Sequence, residues 1–440
     1  MTNIVNTREI ILDILLEITD RQALSHQVLK QALEKYQYLE KRDRSFITIV
    51  TEGTLENLIQ IDYILNQYSK VKTKKMKPVI LNILRMSVYQ IRFMNSIPDS
   101  AVCNEAVKLA SKRGFYQLKG FVNGILRNIV RNKDNPDFPD ASEDLVKHLS
   151  IVYSMPEWIV TQWIADYGME QTKNVLQAFL KEAPLTIRTN LSKITPEELE
   201  IRLKAEGVQA EKIICEEAPQ LDYAFQIFGF DYLNRLESFR EGLFYVQDIS
   251  SMLVAELADP KENDFVIDVC AAPGGKSVHL AEKLHGTGMV EARDLTEYKV
   301  ELIQENIERH QLSNMCAVQK DATVLDEASV GKADVVIADL PCSGLGVMRK
   351  KTDIKYKMTL ETEKELVVLQ QKMLDTVCLY VKAGGTLLYS TCTMDKMENE
   401  DNVAWFLEHH PEFELVKMQQ IFPKETYGDG FFLTKLQKKA

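Results

Sequence analysis

Apolar residues in the first third of the chain recur at helical spacing. Ile10, Ile11, Ile14, Leu15 and Ile18 form one stripe, and Leu58, Ile61, Leu65 and Tyr68 form a second. Val79, Ile80, Ile83 and Leu84 begin another helix behind Pro78, whose fixed φ suits a first turn. A last helix carries Phe121-Val122-Asn123-Gly124-Ile125-Leu126-Arg127-Asn128, so the spacing predicts an all-α domain over 1–135. From 132 to 145 the period stops and two prolines enter, which predicts a linker. A small α+β module is expected over 146–240. Its signals are helix starts at Pro156-Glu157 and Thr195-Pro196 and a strand at 185–190.

Beyond 242 the pattern changes. Apolar runs of strand length stand at 265–270, 289–293, 315–319, 333–340 and 385–390. Amphipathic helices separate them at 277–284, 297–310 and 361–381, the second with Val300, Ile303 and Ile307 on one face. Such alternation predicts a parallel sheet covered by helices on both faces, a doubly wound, Rossmann-like α/β domain over 241–440. A helix at 398–410 and a strand at 430–436 close the chain.

Composition narrows the class. A chain of 440 residues is too long for one core, and 45% hydrophobic with 27% charged residues describes an ordinary globular protein. Neither a signal peptide nor an apolar run of membrane-spanning length is visible, so a cytoplasmic location is expected. Seven cysteines without a Cys-x-x-Cys pair argue against zinc and against a disulfide framework. The net charge of −11 is unevenly spread. Residues 1–134 hold 21 Lys and Arg against 13 Asp and Glu, a balance of +8, which leaves −19 for the remainder. That asymmetry suggests one module that meets polyanions, with Lys70, Lys72, Lys74, Lys75 and Lys77 as its densest patch. A solvated helix end explains the lysine run alone equally well.

The candidate chemistry starts at Asp268-Val269-Cys270-Ala271-Ala272-Pro273-Gly274-Gly275-Lys276-Ser277, a strand, glycine-rich loop and helix start where α/β proteins hold cofactors. The loop lacks Gly-x-Gly-x-x-Gly, and Cys270 stands where a P-loop needs its first glycine, so neither a dinucleotide nor an ATPase reading fits. Asp294 and Asp321 end the second and third strands, and Asp339-Leu340-Pro341-Cys342-Ser343-Gly344 and Ser390-Thr391-Cys392-Thr393 end the next two. Ligands of such sheets bind at these strand ends.

Together these segments resemble the RNA cytosine-5 methyltransferases of the Sun type. The resemblance extends through Val246-Gln247-Asp248 and into an N-terminal part similar to NusB-like domains, at Ile97-Pro98-Asp99-Ser100 and the Phe-Val-Asn-Gly-Ile-Leu-Arg segment. It implies S-adenosylmethionine as cofactor, held by Cys270, Ala271, Ala272, Pro273, Gly274, Gly275 and Lys276, with Asp294 toward the ribose and Asp321 toward the adenine amino group. It implies Cys392 as nucleophile, Cys342 as the residue that assists product release, Asp339 at the base edge and Lys276 orienting ring or loop. Chemistry alone does not order the two cysteines, since DNA cytosine enzymes attack with their Pro-Cys residue. The implied partner is 16S rRNA, naked or in an early assembly intermediate, with no metal, no membrane and a monomeric enzyme. Arg188 and Asn190 are candidates for contacts to backbone or cofactor-side structure, and the glycines and cations of 344–351 for a mobile loop that meets phosphate, with a merely solvated loop as the near-equal alternative. Lys320 before Asp321, Thr352 and Thr393 depart from the family's common Gly, Pro and Ser. Two alternatives stay open: a methyltransferase for 23S rRNA or transfer RNA, and a non-catalytic RNA-binding or antitermination factor working through the first domain.

Overall fold

The computed structural model describes residues 6–133, 137–181, 185–215 and 218–440. Part of the expected linker, 134–136, lies outside the described residues. The chain forms two compact units. One is Met1–Leu180 with Met348–Lys357, and the other is Lys181–Val347 with Met358–Ala440.

The first unit is helical: α1 (Thr7–Thr19), α2 (Ser25–Lys35), α3 (Lys41–Glu56), α4 (Leu58–Tyr68), α5 (Pro78–Phe93), α6 (Asp99–Lys112), α7 (Lys119–Arg131), α8 (Leu145–Val152) and α9 (Glu157–Phe179). The stripes read from the sequence form its core, with Ile11, Leu15, Ile61, Leu65, Ile83 and Leu84 fully buried. Asn6 caps α1 by accepting from the Arg8 and Glu9 N–H groups, and Pro78 occupies the first turn of α5. Helices α8 and α9, which the pattern places at the start of the middle module, pack with this unit.

The second unit contains two sheets. A four-stranded antiparallel sheet has the order β2-β3-β1-β4, from β1 (Leu185–Thr189), β2 (Gln209–Lys212), β3 (Ala224–Phe228) and β4 (Phe244–Val246), with α10 (Pro196–Ala205) and α11 (Glu237–Arg240) between strands. Beyond it come α12 (Ile249–Ala258), β5 (Phe265–Asp268), α13 (Gly275–Lys283), β6 (Met289–Asp294), α14 (Glu297–His310), β7 (Met315–Gln319) and β8 (Ala333–Asp339). After α15 (Ile354–Lys357), in the segment lent to the first unit, the chain continues through α16 (Leu360–Val377), β9 (Val381–Thr391), α17 (Glu400–His409), β10 (Phe413–Ile421) and β11 (Phe431–Lys438). These strands form a seven-stranded sheet in the order β10-β11-β9-β8-β5-β6-β7. β5 to β9 pair in parallel, whereas β10 and β11 run antiparallel. The five parallel strands match the apolar runs read from the sequence. The edge strand β10 was missed because most of its side chains are exposed, so no buried face constrains their polarity.

One expectation is corrected here in part. Of the loop expected to be mobile, 344–351, Gly344, Leu345, Gly346 and Met348 are buried, whereas Lys350 and Lys351 are exposed, so burial limits the glycine half and leaves these two cations open to solvent. Lys355 Nζ donates to the carbonyls of Glu56 (2.9 Å) and Ser154 (2.7 Å), and Tyr356 Oη to that of Leu55 (2.8 Å). These carbonyls lie at or just beyond the C-terminal ends of α3 and α8, where a cation meets the helix dipole and satisfies acceptors that have no intrahelical donor. Asp353 accepts from the Ser25 N–H (3.1 Å) and from Lys357 Nζ (2.6 Å). The segment is therefore held by buried polar contacts that the local sequence does not reveal.

Candidate active site

The loop after β5 is shaped by its own backbone. Val269 N donates to Ile337 O (3.0 Å), Ala271 N to Arg293 O (2.8 Å) and Gly274 N to Ala271 O (2.7 Å). Gly274 adopts φ 109°, a region closed to side chains, and so turns the chain into α13. A Cβ on Gly275 would come within 3.0 Å of the Tyr245 ring.

Around this loop lies a cavity of ≈ 240 Å³. Cys270, Ala271, Ala272, Pro273, Gly275, Lys276, Asp339 and Cys392 all line it, joined by Asp268, Tyr245, Gln247, Asp248, Asp429 and Phe431. The sequence reading missed Asp268 as a site residue. Its carboxylate is fully buried; Oδ2 accepts from Ser277 Oγ (2.5 Å), while Oδ1 has no hydrogen-bond partner. Burial raises its pKa to about 7, with the Ser277 bond opposing. An unpaired buried acceptor beside a helix N-terminus suits a zwitterion, with the ammonium toward Asp268 and the carboxylate toward the α13 amides, so the residues present fit the amino acid moiety of S-adenosylmethionine.

Asp294, Asp321, Gly274 and Cys342 are not among the lining residues. Asp294 braces the loop, with Oδ2 accepting from Ala272 N (3.0 Å) and Oδ1 from Leu295 N (2.7 Å) and Lys299 Nζ (2.9 Å). Asp321 Oδ1 accepts from the Thr323 N–H and hydroxyl, both at 2.8 Å, which holds its carboxyl below the ordinary range. Cys342 reaches the site through its sulfur, 3.3 Å from that of Cys392.

Cys342 is pushed well above the ordinary thiol range, first by its hydrogen bond with Cys392, then by burial, then by the charges of Cys392, Glu398 and Asp339. Lys276 Nζ donates to Asp339 Oδ2 (2.7 Å) and lies 5.4 Å from the Phe431 ring centroid. Burial disfavours its charge, but Asp339, with help from Asp268 and Cys392, holds the ammonium above the ordinary lysine range. Asp339 is fixed on its other oxygen by Ser390 Oγ (2.7 Å). Burial, followed by the neighbouring acids, also pushes the Cys270 thiol up, which leaves it an inert lining group.

Arg188 and Asn190 are both buried. Arg188 Nε donates to Gln247 Oε1 (2.8 Å), and its guanidinium pairs with Glu282 on α13. Asn190 Nδ2 donates to Gly242 O (2.9 Å). They hold cofactor-side structure and are closed to RNA phosphate. Among the described residues no helix is long and apolar enough to cross a membrane.

A mostly parallel seven-stranded sheet with a glycine-rich loop, a buried acid and paired strand-end thiols at its carboxyl edge defines an S-adenosylmethionine-dependent methyltransferase. Residues 255–437 match the 16S rRNA methyltransferase RsmB/F family, residues 5–131 the NusB family and residues 155–227 the RsmF/B-like ferredoxin-like domain. The probable ribosomal RNA small subunit methyltransferase B of Bacillus subtilis is 37% identical over 99% of both chains. The ribosomal RNA small subunit methyltransferase B of Vibrio cholerae is 29% identical, covering 99% of this chain and 98% of its own. The crystal structure of PH0851 superposes with a TM-score of 0.80 at 25% identity over 99% of both chains. NSun6 from Pyrococcus horikoshii, solved with SFG, superposes at 0.59 with 23% identity over 66% of this chain and all of its own, and shares the fold. The chain belongs to the ribosomal RNA small subunit methyltransferase B family.

Proposed function

We propose that the protein methylates C5 of a cytosine in 16S rRNA, cytosine 967 in that RNA's numbering, through a covalent adduct on Cys392. Cytosine C5 is too electron-poor to attack a methyl group unaided. Addition of the Cys392 thiolate to C6 converts the ring to an enamine whose C5 is nucleophilic. The bound cofactor supplies the methyl group as a sulfonium. Asp339 holds the base at its N3 edge, and Lys276 fixes Asp339 and lies toward the attacking sulfur. The C5 proton passes to a base, a solvent water, as the C6–S bond breaks with its electron pair to Cys392, which restores aromaticity, and Cys342 assists this release. The target base must leave its stack to reach the pocket.

The 3.3 Å contact between the two sulfurs carries this reading, since it brings both thiols to one reacting base. Cys342 is pushed up by its bond to Cys392, by burial and by the acids around it, while the charge of Cys392 helps to hold the Lys276 ammonium, an asymmetry in keeping with Cys392 as the attacking sulfur. The basic first unit supports a polyanionic partner, and the NusB-type match supports 16S over other RNAs. Bisulfite sequencing of rRNA from cells with and without the protein tests the assignment. Loss of one protected 16S cytosine is expected, and an unchanged 16S pattern with a lost 23S or transfer RNA signal refutes the target.

A further inference from the structure

Glu398 and Asn399 are adjacent, fully buried and outside every role given above. Each holds one cysteine loop. The Glu398 carboxylate accepts from the Ser343 N–H through both oxygens (3.2 and 3.0 Å) and from Gln370 Nε2 (2.7 Å). The same Gln370 group donates to Pro341 O (2.9 Å), so the residues on both sides of Cys342 are tied to one carboxylate. Asn399 Oδ1 accepts from Thr391 Oγ1 (2.6 Å), and its Nδ2 donates to Thr393 O (3.2 Å), which ties the residues on both sides of Cys392. Between the loops, the Ser343 and Thr393 hydroxyls, each directly after a cysteine, bond at 2.7 Å.

We propose that Glu398 is a positioning residue for product release, clasping the Pro341–Ser343 turn so that the Cys342 thiol faces the Cys392 sulfur. The inference rests on the reading of Cys342 as the release residue. Nothing covalent happens at Glu398 itself. Its hydrogen bonds run to the Ser343 N–H and to Gln370, and both lead to the Pro341–Ser343 turn. Asp395 and Glu363 lie close by, with one carboxylate oxygen of each within 4.8 Å of one another and of one oxygen of Glu398. No lysine, arginine or histidine pairs with any of the three among the described residues. Burial, followed by the neighbouring acids, pushes Glu363 up to about 9 and Glu398 up to about 7, so the cluster sheds part of its charge, and crowding three acids in the interior is consistent with an arrangement kept for geometry.

Glu398→Gln tests this without leaving a cavity. With its oxygen at the Oε2 position the amide still accepts from Ser343 N–H and Gln370 Nε2, but its NH₂ then faces the Ser343 N–H, another donor, so that contact is lost and the remaining bonds lose their charge assistance while volume is kept. Gln370→Met removes the bridge to Pro341 by a second route. Each purified variant is assayed beside Cys342→Ala for cofactor binding by calorimetry, for methyl transfer in a single turnover, and for the denaturant-resistant protein–RNA complex. The complex is expected to rise about tenfold over the unaltered protein in E398Q, the size of one charge-assisted hydrogen bond, with cofactor affinity and KM unchanged and kcat lowered. If Cys342→Ala accumulates complex but E398Q and Gln370→Met release product normally, the clasp is overturned. Parallel loss of cofactor binding and of first-turnover transfer in both also overturns it, as a merely structural effect. If Cys342→Ala itself accumulates none, the underlying reading of Cys342 falls instead.

Discussion

Arg188→Met should destabilise the second unit far more than its position on a short strand suggests. Arg188 and Glu282 expose only 1% and 4% of their side chains. Glu282 is kept ionised against its burial by the charge of Arg188, with further help from His310. Removing the guanidinium strands a carboxylate in the interior and breaks the bond to Gln247 as well. Breaking a buried pair from one side costs about 3–5 kcal/mol, whereas replacing both partners by apolar groups is often neutral. At about 2–4 °C per kcal/mol for a unit of this size, the midpoint should fall by about 6–20 °C. Arg188→Met/Glu282→Met should recover most of that loss. Differential scanning calorimetry of the single and double variants closes the cycle. The pH sign also follows. In Arg188→Met the folded-state pKa of Glu282 lies above its unfolded value, so stability is regained as pH falls toward about 4.5. In the unaltered protein that pKa is depressed, and the stabilisation is lost as pH falls through it. A single variant no less stable than the double, with coupling below about 0.5 kcal/mol, refutes the reasoning.

Cys392→Ala should abolish methyl transfer and adduct formation, while Cys342→Ala should form the adduct and retain it; turnover by the first variant in a tritium-release assay would move the nucleophile elsewhere. A Cβ on Gly346 would overlap the Gly430 carbonyl oxygen and approach that of Cys392 to 2.8 Å, so Gly346→Ala should displace the Cys392 strand end and lower activity by at least about 100-fold, read as kcat/KM. Asp268, at about 7 folded against 3.8 unfolded, makes the protein without cofactor lose stability as pH rises from about 4 to about 7; Asp268→Asn should flatten that slope in urea titrations and weaken cofactor binding by calorimetry. Lys70, Lys74 and Lys75 are exposed, so replacing all three by Gln should reduce the slope of log affinity for RNA against log salt by about 2, measured by filter binding. An unchanged slope assigns the phosphate contacts to another surface.

Much of the catalytic unit was legible in the sequence because its signals are local. The apolar runs of β5 to β9 are buried on both faces and need no knowledge of their partners to be read as strands. The turn at Gly274 and the cysteines after β8 and β9 were visible as short motifs. The small sheet was less so: β2 and β4 have four and three residues, too few for a period, and their identity depends on pairing with β3 and β1. The segment after Cys342 was legible only in part, because its glycines and cations describe a mobile or a solvated loop about equally well. Only the carbonyls of Leu55, Glu56 and Ser154, about 200 to 300 positions away, make Lys355 and Tyr356 buried residues.

From its residues alone the chain determined its helical and strand periods, the cofactor loop and the presence of two candidate thiols, since each depends on neighbours a few positions apart. Folding decided the rest: that Cys342 and Cys392, fifty positions apart, bring their sulfurs to 3.3 Å, that Asp268 keeps an unpaired oxygen toward the cavity, and that Arg188 meets Glu282 instead of phosphate. These are matters of charge, burial and approach between distant segments, and such energies exist only once the backbone has closed around them.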